Sequence, residues 1–384
     1  MKVAVLGYGT VGAGVYSMLS DALGMEAGPV LVRPGKAVES FMVSDAALIF
    51  GDPTVDAVVE TLGGLDPAYS YGMRALEAGK HFITANKAMV AAHGLELAAL
   101  AREKGAAFLF SAACGGGVPF LHNLALSAET DRIETVSGIL NGTTNYMLDA
   151  MQRRSLSYGD ALREAQSLGY AESDPTADVS GLDALRKMQL ACAVAFGVLP
   201  QSGMLCEGME HFTAEDVEDI QSRGLVCRLM ARGSRAGESV SAYVEPVLFP
   251  RAAPESSVFT NNNMARYTGK RCGSIVLMGQ GAGRFPTASA VLRDLSAAQQ
   301  GARSMFPENC RAAEADNREA VHSYYIRTGG FAAVRLSLRS VLAQGEVVRA
   351  VIEPMSAEKM HALAQNIRKD GNDLFFAALE EELC

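Results

Sequence analysis

Sixteen residues between Glu172 and Lys187 hold four carboxylates (Glu172, Asp174, Asp178 and Asp183) and a lysine. Pro175 and Gly181 mark the first part as a loop, and the run after Lys187, MQLACAVAFGVL, is almost wholly apolar. The block therefore reads as a loop leading into a buried helix. Asp183 and Lys187 stand four residues apart and share a helix face. A lysine there is desolvated, which favours its neutral form, and faced by acids, which favour the ammonium. That is the setting of a tuned general acid or base. It is equally the setting of an ordinary i,i+4 surface pair, and the residue types leave both readings open.

A second chemistry sits at the N-terminus. Gly7-Tyr8-Gly9-Thr10-Val11-Gly12 is a GxGxxG that follows a short apolar run, KVAVL, and opens a helical pattern. The first glycine permits a tight turn, the second lets the backbone approach a pyrophosphate, and the third allows close helix–strand packing, with the helix N-terminus facing the phosphates. NAD-specific versions carry an acid about 20 residues on, to bond the ribose hydroxyl. Here that place reads Val32-Arg33-Pro34-Gly35-Lys36, without an acid and with two cations. Arg33 and Lys36 can hold a 2′-phosphate, which favours NADP over NAD, although two solvated surface charges would look the same. Lys87, in Thr84-Ala85-Asn86-Lys87, follows a further strand-like run, where open α/β sheets bind ligands. It reads as a lysine reaching cofactor or substrate, or as a surface lysine.

These groups need a scaffold. Residues 1–125 alternate short β-branched runs (2–6, 30–32, 47–50, 55–62, 81–84, 106–112) with helical stretches near 10–22, 68–78 and 89–104. Such alternation implies βαβ units and a parallel, doubly wound sheet. From 126 to 285 the rhythm becomes α+β: strands at 133–140, 239–249 and 274–278, helices near 144–152, 158–168 and 180–196. Residues 301–320 are polar and irregular and read as a linker. The tail, 321–384, reads as strand 323–327, helix 331–343, strand 347–353 and a long helix over 356–382, a small βα module. Two small-residue loops, GILNGTTNY at 138–146 and GQGAGRFPTASAV at 279–291, each join a strand end to a helix start. Their backbone N–H groups suit an anion or a close backbone contact.

Composition narrows the field without naming a function. The chain has 384 residues and a net charge of −9, from 34 basic and 43 acidic residues, which argues against a nucleic-acid partner. No apolar run reaches the roughly 18–20 residues of a membrane span. The N-terminus lacks a signal-peptide pattern, and seven scattered cysteines without a CxxC fit a reduced compartment, so a cytoplasmic location is expected.

Taken together, the segments resemble homoserine dehydrogenase. The likeness runs from residue 1 to about 300 through GYGTVG at 7–12, VVETLGG at 58–64, AGKHFITANKA at 78–88, GGGVP at 115–119, GILNGTTNYML at 138–148, GYAESDPTADVSGLDALRK at 169–187 and GQGAGRFPTASAV at 279–291. It implies a Rossmann-type domain (1–125, with a returning helix near 286–300), an α+β substrate and dimerisation domain (126–285), and an ACT-like tail. The implied reaction is the NAD(P)-dependent interconversion of L-homoserine and L-aspartate 4-semialdehyde. By motif, the resemblance makes Lys187 the general acid/base and Asp183 the group that bonds substrate and orients it. Glu172, Gly169, Asp178 and Tyr170 would bind substrate. Lys87 would sit by the cofactor and the reacting oxygen. Gly7, Gly9, Thr10, Val11, Gly12, Thr61, Gly63, Thr84 and Gly283 would line the cofactor. A homodimer is expected by the same likeness. With no aspartokinase ahead of residue 1, a monofunctional enzyme is expected.

Two departures stand out. The family's sodium site uses a glutamate and nearby carbonyls, and the matching positions here are Ser111, Cys114, Gly116 and Val118. Losing the carboxylate removes the only formal charge, which argues against a tight sodium site. The tail lacks a clear glycine-bearing ligand loop, Tyr325–Gly330 being the nearest candidate, so threonine regulation is left open. Two other functions fit parts of the pattern: another Rossmann oxidoreductase acting on an amino-acid semialdehyde, and a non-catalytic NAD(P)-binding sensor, which would have no need of the acid–lysine block.

Overall fold

Lys2–Leu6 form strand β1, whose last four residues are fully buried. Parallel strands covered on both faces read as continuous apolar runs, and this one does. The computed structural model describes residues 1–329 and 337–380. The chain divides into two compact units. The first holds Met1–Arg132, Gln189–Leu199 and Gly279–Arg311; the second holds Ile133–Met188, Pro200–Met278 and the chain from Ala312 onward.

In the first unit, β2 (Glu26–Leu31), β3 (Met42–Val43), β4 (Ala57–Glu60), β5 (His81–Thr84) and β6 (Phe108–Leu109) join β1 in a parallel sheet of order β3-β2-β1-β4-β5-β6. Helices α1 (Thr10–Leu19), α2 (Ala47–Phe50), α3 (Ala68–Glu77), α4 (Lys87–Lys104) and α5 (Phe120–Thr130) alternate with the strands or follow them. The strand order reverses between β1 and β4, and the carboxyl ends at such a switch point are where ligands bind. One expected strand is corrected. Residues 47–50 form the short helix α2, because the Asp45 carboxylate accepts the Ala47 N–H at 2.8 Å and starts a turn there.

The second unit begins with β7 (Ile133–Ile139), α6 (Gly142–Arg154), α7 (Tyr158–Ser167), α8 (Thr176–Val179) and α9 (Leu182–Phe196), which runs on into residues of the first unit. Then come β8 (Val198–Ser202), β9 (Leu205–Cys206), α10 (Ala214–Ser222), β10 (Leu225–Ala236), β11 (Ser239–Pro250), β12 (Asn262–Gly269) and β13 (Gly273–Gln280). Helix α11 (Arg284–Gln299) packs on α1 in the first unit, where Gly14 leaves room for Arg284 and Ala288. The tail supplies β14 (Arg311–Glu314), β15 (Val321–Gly329), β16 (Leu338–Ala343), β17 (Val347–Ser356), α12 (Ala357–Lys369) and β18 (Leu374–Leu379). One large sheet runs β13-β12-β7-β10-β11-β18-β15-β17-β16, with β9 beside β11, while β8 and β14 pair separately. Helices α6, α10 and α12 pack on it over a core that includes Ile139, Val247, Met264, Tyr324 and Phe376.

Four expectations change here. Strand β10 went unpredicted, because buried Arg228 and well-covered Arg232 break the apolar alternation that announces a strand. The long helix over 356–382 stops at Lys369. A turn at Asp370–Gly371 (Gly371 φ +80°) follows, and β18 inserts parallel to β11, pairing Val247 with Ala378. The helix expected over 331–343 lies partly outside the described residues, and its remainder, 338–343, is strand β16. The stretch read as a linker packs: Phe306 is buried against Phe110, and the Asn317 side chain donates to the Gly203 carbonyl and accepts the Ala242 N–H.

Candidate functional site

The turn after β1 is shaped by its glycines. Gly7 sits at φ +98° and donates its N–H to the Leu31 carbonyl at 3.0 Å. A Cβ on Gly12 would overlap the Gly7 carbonyl oxygen, so no larger residue fits beneath the turn. Gly9, the N-cap of α1, has open space where a Cβ would be, and Thr10 and Val11 form the first turn behind it. A backbone cradle open at a helix N-terminus is an anion site, and the fit to a dinucleotide pyrophosphate is good. A cleft of about 1100 Å³ lies over it, lined by Gly7, Gly9, Arg33, Lys36, Thr61 and Gly63 among others. Tyr8 and Phe41 line it, and Phe41 stacks on Tyr16 at 4.3 Å. Arg33 and Lys36 are exposed there, and among the described residues neither pairs with a carboxylate.

Below this rim is a residue that no motif arithmetic singled out. Glu60, at the end of β4, is fully buried and accepts the N–H groups of Leu62 and Gly63 at 2.6 and 3.1 Å. Thr84 Oγ1 donates to its other oxygen and accepts the Asn86 N–H. Burial holds the Glu60 pKa above its ordinary value, against the pull of these donors. Thr84 is thus wholly inside and acts on the loop, not at the rim, while Thr61 donates its hydroxyl to the Leu6 carbonyl. Asn86 caps α4 by accepting the Met89 N–H, which sets Lys87 at the first position of that helix, half-buried. Gly283, at φ +118°, caps α11, and Gly116 approaches the Gly281 backbone too closely for a Cβ.

Two of the four residues aligned with a sodium site, Ser111 and Val118, already bond within the protein. Ser111 donates both its N–H and its hydroxyl to the buried carboxylate of Asp294, on α11. The Val118 carbonyl already accepts the Phe120 N–H at 2.7 Å. The guanidinium of Arg293 points into the same loop, donating to the Gly117 carbonyl at 3.0 Å. Among the described residues no cluster of three carboxylate, thiol or imidazole groups could hold a metal. The Asp294 carboxylate is spent on protein donors, and the Arg293 guanidinium already faces the loop.

In the second unit the acid–lysine block closes on itself. Lys187 Nζ lies 2.7 Å from Asp183 Oδ2 and donates to the Leu140 carbonyl at 2.6 Å, with both charged side chains nearly nine-tenths covered. The pair is a buried one, not a surface one. Asn141, the N-cap of α6, donates to Asp178 Oδ1 at 2.7 Å and to Asp183 Oδ2 at 2.9 Å. Burial pushes the Asp178 carboxyl up, opposed by the Asn141 bond and reinforced by the charge of Asp183. Gly181, at φ +82°, lets the chain turn from α8 into α9 against Val244 and Cys206. Gly169, at φ +75°, ends α7, and the Tyr170 carbonyl accepts the Thr143 hydroxyl. Glu172 stands apart: its side chain is exposed and makes no bond to Asn141, Asp178, Asp183 or Lys187 among the described residues. Asn145 is a strut whose amide donates to the carbonyls of Val258, Thr260 and Asn262.

A family model described as homoserine dehydrogenase, NAD binding domain, matches residues 7–111, and one described as homoserine dehydrogenase matches residues 119–296. The homoserine dehydrogenase of Bacillus subtilis is 35% identical over 319 residues, covering 79% of this chain and 74% of the relative. The chain belongs to the homoserine dehydrogenase family. It is an NAD(P)-binding oxidoreductase of that activity. The Neisseria gonorrhoeae homoserine dehydrogenase is 30% identical over 406 aligned positions, covering 93% of this chain and 90% of its own. A homoserine dehydrogenase crystal structure from Thiobacillus denitrificans superposes with a TM-score of 0.87 at 30% identity, covering 99% of this chain and 98% of that one. The likeness therefore reaches through the tail, beyond the motifs that end near residue 300. Among the described residues no helix is long and apolar enough to cross a membrane.

Proposed function

We propose that this homoserine dehydrogenase interconverts L-homoserine and L-aspartate 4-semialdehyde with Lys187 as its general acid/base and NADP as its preferred cofactor. When bound, the reduced nicotinamide supplies the hydride. Lys187 gives its proton to the aldehyde oxygen as negative charge develops there, and takes it back from the hydroxyl in the reverse direction. Asp183 fixes the ammonium and keeps it charged until transfer. Asp178 and Glu172 bind the substrate's own ammonium, a charge that needs a carboxylate partner. Lys87, at the start of α4, adds positive charge at the cofactor, and Arg33 and Lys36 hold the 2′-phosphate.

The observation that carries this reading is the clamp on Lys187, two bonds from Asp183 and Leu140 in a mostly buried site. An unused surface pair would not be covered to that extent. The test is spectrophotometric: NADPH oxidation with aspartate semialdehyde, and NADP reduction with homoserine. Turnover in both directions, with NADPH preferred over NADH, supports the proposal. Preference for NADH removes the 2′-phosphate role, and no turnover with another semialdehyde working instead removes the substrate.

A further inference from the structure

We infer that Asn141 is a positioning residue of the reaction, holding the carboxylates of Asp178 and Asp183 side by side through the two N–H bonds of one side-chain amide. The inference rests on the acid–base role of Lys187. Its starting point is the orientation of that amide. The Asn141 oxygen accepts two donors, the Thr144 N–H at 2.8 Å and the Thr144 hydroxyl at 2.9 Å. Both cap the N-terminus of α6, so the oxygen is committed to the helix and the NH₂ must face the other way. There it meets one oxygen of Asp178 and one of Asp183, in a residue that is itself buried.

The physical need for the amide is electrostatic. The charged groups that face one another here are Asp178 from α8, and Asp183 and Lys187 from α9, while α6 contributes the neutral Asn141 and Thr143. Two carboxylates this close disfavour each other's ionisation. Lys187 bonds Asp183 directly and acts on Asp178 through its charge, so the direct hydrogen bond to Asp178 Oδ1 comes from the Asn141 amide. The amide offers each carboxylate an N–H donor, which favours the ionised form, and fixes which oxygen of Asp183 turns to Lys187. The same residue ties this group to the end of β7, one position after the Leu140 carbonyl that holds the lysine. A helix cap alone would be served as well by Ser or Asp. Only an amide supplies two donors to carboxylates and an acceptor to the helix at once.

That difference gives the test. Asn141→Asp keeps the cap and replaces two donors by a third negative charge; Asn141→Ser keeps the cap and removes the donors. Both are compared with wild type and with Lys187→Ala in homoserine oxidation at saturating NADP, as kcat against pH, together with Tm. For Asn141→Asp the expected results are a fall in kcat of about a hundredfold, the order a misplaced catalytic group costs, and a rising limb moved about one unit to higher pH, because added negative charge favours the ammonium of Lys187. KM for NADP and Tm stay near wild type. Asn141→Ser lowers kcat without that shift, and decides the matter if the aspartate variant does not fold. Wild-type kcat and an unmoved profile in the folded variants, or losses that only track Tm, overturn the inference. Near wild-type activity in Lys187→Ala instead overturns the acid–base reading itself; an inactive Lys187→Ala beside a normal Asn141→Asp overturns the role of Asn141 alone.

Discussion

Asp183 and Lys187 meet at 2.7 Å, one helical turn apart and nearly covered. Exposed i,i+4 pairs of this type contribute only about 0.3–0.5 kcal/mol. A covered pair behaves differently, because removing one partner strands the other's charge, typically at about 3–5 kcal/mol. The sequence spacing is the same in both cases; what separates them is the second acceptor, the Leu140 carbonyl at the end of β7.

Gly12→Ala should abolish cofactor binding. Its new methyl would overlap the Gly7 carbonyl, which belongs to backbone and cannot swing aside. Either the turn opens or α1 moves. Titration with NADPH by fluorescence is expected to show no saturable binding. Retained affinity in a folded variant would mean that the turn is not the pyrophosphate site.

Arg33→Ala should raise KM for NADP by about tenfold while leaving KM for NAD nearly unchanged, since a charge-assisted contact to phosphate is worth about 1.5 kcal/mol or more. The exposed position of Arg33 on the cleft wall motivates this. Equal changes for the two cofactors would assign Arg33 to the surface.

How much of this was legible beforehand differs between the two units. The parallel sheet announced itself because its strands are buried on both faces, and the glycine turn because its spacing has few other uses. The acid–lysine block was found from residue types, but whether Asp183 and Lys187 were a surface pair depended on coverage that only the fold supplies. Asn141 and Asn86 lay inside recognised segments without a role, since an N-cap and a carboxylate bridge are contacts over 37 and 42 residues or within one turn, not patterns. Glu60 is a lone acid in an apolar run and Asp294 one charge on an ordinary amphipathic helix, and nothing local distinguishes them. Strand β10 is hidden by its buried arginines, and β18 by its place just after α12, where only a short turn separates the helix from an apolar run.

Stability should fall with rising pH through Glu60. Its folded pKa is raised by burial, so the folded state binds the proton more tightly than the unfolded chain. The contribution is then fully present below the unfolded carboxylate value near 4.3 and is lost as pH climbs through the folded one. Glu60→Gln removes this dependence. Between pH 4 and pH 8, the Tm of wild type relative to Glu60→Gln should decline. A constant or rising difference would show that the bonds from Leu62, Gly63 and Thr84 outweigh the desolvation.

Sodium should be dispensable. With Ser111 bonded to Asp294 and Arg293 facing the same loop, exchanging sodium for potassium at fixed ionic strength is expected to leave Tm and kcat unchanged. A Tm that rises specifically with sodium would show that the loop binds the ion through its carbonyls.

The most direct test of the account is the kcat of Lys187→Ala in aspartate semialdehyde reduction, with circular dichroism and NADPH affinity measured on the same preparation. A loss of about 10²–10⁴ in kcat, with fold and cofactor binding intact, is the value of a positioned general acid and is the predicted result. Turnover within a few-fold of wild type would mean that Lys187 is only the partner of Asp183, and that the proton comes from elsewhere.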